Sequence, residues 1–468
     1  MKVAAQKDAT KVYKKRVLES TEVDFISSYY VQEGDNASVT GGIGNEHLTD
    51  VASSIIISLP LNADDVLTID AGFSAYTSAS SSNGNPFDAT GASANGYDDD
   101  DDRYEDKREA VANTIGSPWV ASSGASRSDV WTTINADYAH SSNNRDFSWN
   151  INASFSSEYD YTSMGFGGGF LKQFNQKNTT LGLSAKVYLD NWSPIYPTEL
   201  KSFYQVNGNL NQGFFNGVTI IDQNGNTTNN WKPISGFDLI KNKARNSYSV
   251  SISFSQILSK NAQISIFADL VQQQGWLANP LQRVYFGDVQ NYFIGNANSI
   301  KNYSSRNNTD VFQLADDIER LPSSRIKTPI GMRFNYYLNE TFVVRTYYRY
   351  YFDDWGLSSH TASIEMPIKI SDKFTLYPSF RYYTQNAANY FAGYEQHLSS
   401  EEFYTSDYDL SAFFANQFGF GFSYTDIFTK MHLWNLGLKS IDVKFYKYDR
   451  NTTFSSTIVN AGFKFILD

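Results

Sequence analysis

The chain has 468 residues with 38 Lys+Arg against 49 Asp+Glu, a formal net charge of −11, which disfavours nucleic-acid partners. Aromatic content is 16% while charged residues are only 19%, and cysteine is absent, so thiolate metal sites and disulfide scaffolds are excluded. Mean hydropathy is −0.42 and no stretch approaches 18 consecutive apolar residues, which excludes transmembrane helices.

Met1–Ser20 carries Lys2, Lys7, Lys11, Lys14, Lys15 and Arg16 without an apolar h-region, so no signal peptide is visible. If the chain is exported, this numbering describes a processed form, and 1–20 reads as a short periplasmic extension. From residue 21 onward, apolar and polar residues alternate in segments of strand length. In 179–191, Leu181, Leu183, Ala185, Val187 and Leu189 share one face, and Gly182, Ser184, Lys186, Tyr188 and Asp190 the other. A side-chain period of two makes one face apolar and the other wet.

Sixteen such strands are expected, near 21–33, 48–61, 65–79, 128–141, 145–157, 164–175, 179–191, 246–258, 262–275, 326–338, 341–353, 359–371, 373–385, 408–424, 433–447 and 453–467. Connections after even-numbered strands are mostly tight, as at 62–64, 143–144, 176–178, 259–261 and 339–340. Those after odd-numbered strands include long ones near 80–127, 192–245, 276–325 and 386–407. An even strand count with loops sorted by side predicts one closed, antiparallel, up-and-down transmembrane β-barrel spanning 21–468. Its long loops are extracellular and its turns periplasmic. The aromatic surplus suits the interfacial girdles of such barrels, and the last strand, with Val459, Ala461, Phe463, Phe465 and Leu467 on one face, resembles the terminal signal read by barrel-assembly machinery.

The same phase turns charges inward: Lys186, Asp190, Asp269, Asp442 and Lys444, and above all Arg345, Arg349, Asp353, Glu365, Lys369 and Arg381. Charges of both signs on neighbouring strands are expected to pair and to hold water rather than to form a selectivity ring. The long loops carry apolar clusters at 218–221 and 311–314 and are expected to fold over or into the mouth.

Two segments raise the question of chemistry. Asp98, Asp99, Asp100, Asp101 and Asp102 form a run beside Glu105, Asp106 and Glu109. Carboxylate oxygens suit calcium, yet the run lacks the glycine and ligand alternation of an organised loop, and such runs are usually solvated. Arg103, Lys107 and Arg108 favour a local charge network, and no cofactor is assigned. At the second segment, Asp353, Asp354, Trp355, Gly356 and His360 surround a tight outer turn with Ser358 and Ser359. Ser, His and Asp at a barrel rim are the ingredients of an outer-membrane hydrolase. The plainer expectation has Asp354 capping the turn and Trp355 anchoring at the membrane interface. The five histidines show no ligand spacing, so no metal is proposed from them.

The segment Tyr347–Thr361, Y-Y-R-Y-Y-F-D-D-W-G-L-S-S-H-T, resembles the signature of the DUF3570 family of bacterial outer-membrane proteins. Arg320–Arg325, Tyr377–Gln385, Gly41–Asp50, Ser78–Pro86 and Ser123–Ser126 fit the same family. The resemblance implies a barrel in the outer membrane of a Bacteroidetes-like bacterium, set among small lipoproteins, a thioredoxin-like protein and a flavin transferase. A chain without cysteine cannot itself exchange thiols. The expected role is non-enzymatic: a channel, or a scaffold for a lipoprotein or other envelope-complex subunits, embedded in outer-membrane lipid. The alternatives are an enzyme with a rim site at Asp353, Asp354 and His360, or a secreted all-β binding protein.

Overall fold

The computed structural model describes residues 15–80, 117–119, 129–240, 242–308 and 310–467. The run Asp98–Asp102 lies outside the described residues. Sixteen long strands form the barrel: β1 Glu22–Gly34, β2 Glu46–Pro60, β3 Asp65–Ser80, β4 Asp129–Ser141, β5 Phe147–Ser157, β6 Tyr161–Phe174, β7 Thr179–Trp192 and β8 Lys243–Ile257. The second half is β9 Ala262–Gly275, β10 Ser324–Tyr337, β11 Val343–Asp353, β12 Ser358–Glu365, β13 Phe374–Gln385, β14 Phe413–Thr425, β15 Leu436–Arg450 and β16 Ser455–Leu467. A short piece, Ile368–Lys369, continues β12 beyond Pro367, which has no N–H to give the ladder.

Every strand pairs antiparallel with its neighbours in sequence, and the sheet closes where β1 meets β16, from Glu22↔Ile466 to Glu33↔Ser455. The expected architecture is therefore present: an all-β, closed, up-and-down transmembrane barrel. Closure satisfies the backbone of what would otherwise be two bare edges.

Strand parity places the apolar face outward. Val250 and Ile252 are each 50% exposed, Ile266 46%, Ile364 46% and Phe418 61%. This belt runs round the whole wall, far beyond any apolar patch a water-facing surface tolerates. Aromatic pairs line it, including Phe25 with Phe465 and Phe380 with Phe418.

The hydrophobic core lies elsewhere, in the loops. The connections 193–242, 276–323 and 386–412 fold together into a cap. It contains helix α1 (Thr198–Gln205) and a three-stranded sheet of Ile220–Asp222, Tyr292–Gly295 and Val311–Gln313. Leu200, Phe215, Trp231, Ile294, Phe312 and Leu314 are all buried in one cluster there. The two apolar segments singled out in the sequence, 218–221 and 311–314, supply Ile220, Ile221, Val311, Phe312 and Leu314 to that cap.

A charge placed on the belt tests the inside–outside assignment. Ile252→Arg should cost about 2–4 kcal/mol of stability in lipid vesicles, and Ser251→Arg, on the lumen face beside Asp269, well under half of that. Denaturant titration in vesicles reads the difference, and equal losses would contradict this orientation of the two faces.

Candidate functional site: the capped mouth and the lumen wall

The signature turn 354–357 joins β11 to β12 at the long-loop mouth. Asp353, with a fully buried side chain, organises it. One carboxylate oxygen accepts the N–H groups of Trp355 and Leu357, each at 3.0 Å. The other accepts Arg325 Nε at 2.9 Å and the Tyr351 hydroxyl at 2.7 Å. Gly356 takes φ 83°, where a side chain would also strike the Asn389 amide. Capping by Asp354 was the expectation; Asp353 caps the turn instead, because its side chain reaches two N–H groups ahead of it, while Asp354 accepts the β10 N–H of Ile326 at 2.9 Å. Trp355 is not a membrane anchor either. Its ring is buried under the Arg325 guanidinium, 4.4 Å from the centroid, and its Nε1 donates to the Ser324 carbonyl at 2.9 Å.

His360 does not join this group. It sits on the outward face of β12, with Nδ1 2.7 Å from the Tyr348 hydroxyl and its ring over Tyr350. Alternation along β11 and β12 sends Asp353 to the lumen and His360 to the lipid side. Asp353 and His360, which the hydrolase alternative needs together, are on opposite faces of the wall.

On the lumen wall the structure brings Arg345 and Glu365 together at 2.9 Å, directly across the β11–β12 register, with Lys444 at 3.8 Å from the second Glu365 oxygen. Lys369 turns instead to Asp372 within its own short turn, at 2.7 Å. Arg349 and Arg381 have no ion-pair partner among the described residues, since their register neighbours are Gly331 and Thr361, and Ser363 and Gln417. Their Nε atoms, and Thr361 Oγ1 between them, are buried without a hydrogen-bond partner.

The cap holds residues that the sequence did not single out. Arg283 and Glu199 form a fully buried bidentate pair, Nε–Oε1 2.6 Å and Nη2–Oε2 3.0 Å. Arg283 Nη1 also donates to the Val39 carbonyl of the first loop at 3.0 Å. That loop (35–45) joins β1 to β2, whereas Arg283 stands between β9 and β10, eight strands round a wall of sixteen. The contact therefore crosses the mouth. Tyr285 reinforces it by packing on Gly41, whose φ of 75° and missing side chain leave room for the ring. Further ties come from Trp119 Nε1 to the Tyr303 carbonyl (3.3 Å) and from the Arg306–Asp35 pair. Nothing in the spacing of Glu199 and Arg283 signals their meeting.

Three cap carboxyls are pushed up chiefly by burial and then by neighbouring carboxylates. Asp316 rises to about 7 beside Glu395 and Asp317, Glu319 to about 8 beside Asp407, and Asp407 to about 6 beside Asp409. Glu319 accepts the Asn279 N–H at 2.6 Å and Asp316 that of Phe286 at 2.9 Å, so each is held at a fixed place in the cap. Among the described residues no group of three or more His, Asp or Glu is arranged to hold a metal ion.

Raised carboxyl values fix the sign of a pH effect. The folded cap binds these protons more tightly than the unfolded loops, so its stability is greatest below the unfolded value near 4 and falls as pH rises through about 6 to 8. Limited proteolysis of detergent-solubilised protein should therefore cut the 193–242 and 276–323 loops faster at about pH 9 than at about pH 6. Equal rates, or faster cutting in acid, would contradict it.

Several solved structures share the general shape. A bacterial polysaccharide outer membrane secretin is 7% identical, with 96% of this chain and 99% of that chain covered and a TM-score of 0.42. The ferric enterobactin receptor PfeA of Pseudomonas aeruginosa, as a Q482A mutant, is 9% identical, covering 93% and 55%, with a TM-score of 0.40. The Pseudomonas putida toluene transporter TodX is 9% identical, covering 96% and 89%, with a TM-score of 0.36. The architecture rests on its own strand register, and these likenesses add nothing to it. No curated protein shows significant similarity to the chain. The family described as "Protein of unknown function (DUF3570)" matches residues 1–452, nearly the whole length, and the chain belongs to that family.

Proposed function

We propose that this chain is a non-enzymatic outer-membrane barrel that acts as a channel with its extracellular mouth closed by the folded cap. The outer-membrane placement is supported by the apolar belt, which only lipid would cover at low cost, and by a closed sheet in which each crossing strand is paired on both sides. The observation that carries the channel reading is the Arg283–Val39 contact, which spans the mouth from the β9–β10 side to the β1–β2 side. A barrel of sixteen strands is wide enough for an aqueous lumen unless loops obstruct it. Here the obstruction has its own hydrophobic core and a buried ion pair, so it is a built closure.

A second reading has the cap as a docking surface for a small lipoprotein or another envelope subunit, with the barrel as its scaffold. It is favoured by the three buried apolar clusters of the loops, which make the cap a folded surface in its own right. Conductance separates the two. Arg283→Ala strands Glu199 in the cap interior, a loss of about 3–5 kcal/mol for a broken buried pair. In planar bilayers the native chain should pass little current and R283A should open frequently. Large steady currents that R283A leaves unchanged would mean an open pore. Silence from both would turn the assignment to the scaffold.

A further inference from the structure

We infer that the lumen wall formed by β10–β13 is a binding site for a small multivalent anion carrying carboxylate or phosphate groups. This goes beyond the channel reading and does not depend on it, since a barrel that passes no current can still bind solute in its lumen.

The wall carries unmatched positive charge. Alternation along four adjacent strands puts Arg333, Arg345, Arg349 and Arg381 on the same inner surface, and Arg345 alone is in an ion pair among the described residues. Glu365 is already taken by Arg345 and Lys444. The other lumenal carboxylate of these strands, Asp353, is held by Arg325, and Asp269 and Asp442 on the flanking β9 and β15 form no ion pair with these arginines. Arg333 lies over two rings, Phe267 at 5.5 Å and Tyr347 at 5.7 Å, which stack on each other at 5.9 Å. Gly331 makes this possible: a Cβ there would stand 2.3 Å from the Phe267 ring. The rings fix Arg333 without neutralising it.

Arg349 and Arg381 are the centre of the site. Arg349 pairs in register with Thr361, Thr361 with Tyr383, and Arg381 lies two residues from Tyr383. Strand spacing and rise then set their Cα atoms about 12 Å apart. Two arginine side chains reaching toward each other span that gap around one anion. Between them Thr361, 1% exposed, has a hydroxyl with no partner, and both Nε atoms are likewise unmet. Buried donors left without acceptors are costly, and an oxyanion supplies several acceptors at once, in the geometry the guanidinium fork favours.

The facing wall excludes the same ligand. Eight strands away, Asp50, Asp70 and Asp137 hydrogen-bond only neutral groups, Ser74 at 2.5 Å, Ser54 at 2.5 Å and Asn150 at 2.6 Å. No cation pairs with them among the described residues, so the potential across the lumen runs from acidic at β2–β4 to basic at β10–β13 and directs anions to the arginine side. With the long-loop mouth capped, the short-turn mouth is the route in.

Calorimetric titration of the full chain in detergent micelles tests this, with citrate as the carboxylate probe and inorganic tripolyphosphate as the phosphate probe. The native chain should bind at least one probe saturably, and the stronger of the two identifies the class. The double variant R349Q/R381Q should weaken that binding about tenfold or more. R349K/R381K, which keeps the charge but loses the fork, should fall in between, and the distant Lys172→Gln should change nothing. Should the glutamine pair fail to fold, as judged by thermal melting, the lysine pair decides, with a several-fold loss expected. Absence of saturable binding of both probes, or native affinity in a folded glutamine or lysine pair, would overturn the site.

Discussion

Closure of the sheet is the constraint on which the rest depends. With β1 hydrogen-bonded to β16 along twelve register pairs, no strand has a free edge, and the wall can expose apolar side chains outward without exposing unpaired backbone. Pairing sixteen strands in a ring also forces side-chain alternation to have only two destinations, the belt or the lumen. Every charged residue within the wall must then be lumenal or near a rim, and that is where Arg345, Glu365, Arg349 and Arg381 stand.

A barrel of this kind uses its large aliphatic residues on the outside, so it has no packed interior of its own. The packed interior is in the loops, where α1 and the short strands bury Leu200, Phe215, Trp231 and Phe312. Fully burying each such side chain is worth about 1.5–3 kcal/mol, which offsets the entropy of ordering connections far longer than a turn requires. The Arg283–Glu199 pair sits within this apolar environment and adds little net stability against a hydrophobic replacement. Its role is positional: three guanidinium nitrogens engage Glu199 and Val39, fixing the cap to the opposite side of the mouth.

The barrel was legible in the sequence because its signal is local. A period of two over ten residues is visible within one strand, and the sorting of connections into long and short is visible along the chain, as for 175–178 against 193–242. The cap was legible only as apolar clusters in loops: Val311–Leu314 announced burial, but not that Val311–Gln313 would pair with Tyr292–Gly295. Loop strands of three residues are too short to show a period, and their partners come from distant sequence. The rim turn departs from its expected form for a related reason. Asp353 and Asp354 are neighbours of one type, and only the direction of each side chain, set by the strand's last residue pointing inward, decides that Asp353 caps the turn and binds Arg325 while Asp354 ties to Ile326.

Charge pairing in the lumen shows the limit of alternation as a predictor most clearly. Parity says which charges face inward, but register says which of them meet. Arg345 lies directly opposite Glu365, so the two pair, whereas Arg349, four residues along the same strand and on the same face, lies opposite Thr361. A one-residue slip would have turned both to lipid, and a two-residue slip would have moved Glu365 away from Arg345. The wall thus places its two acids at the ends of the arginine arc, Glu365 with Arg345 and Asp353 with Arg325, and leaves the middle of the arc positive. A lumen required only to hold water would gain from pairing these charges across the same strands, where serine and threonine already occupy the facing positions. Neutral, hydrogen-bonding neighbours around unpaired guanidinium groups are what a wall needs if it is to bind anions and release them.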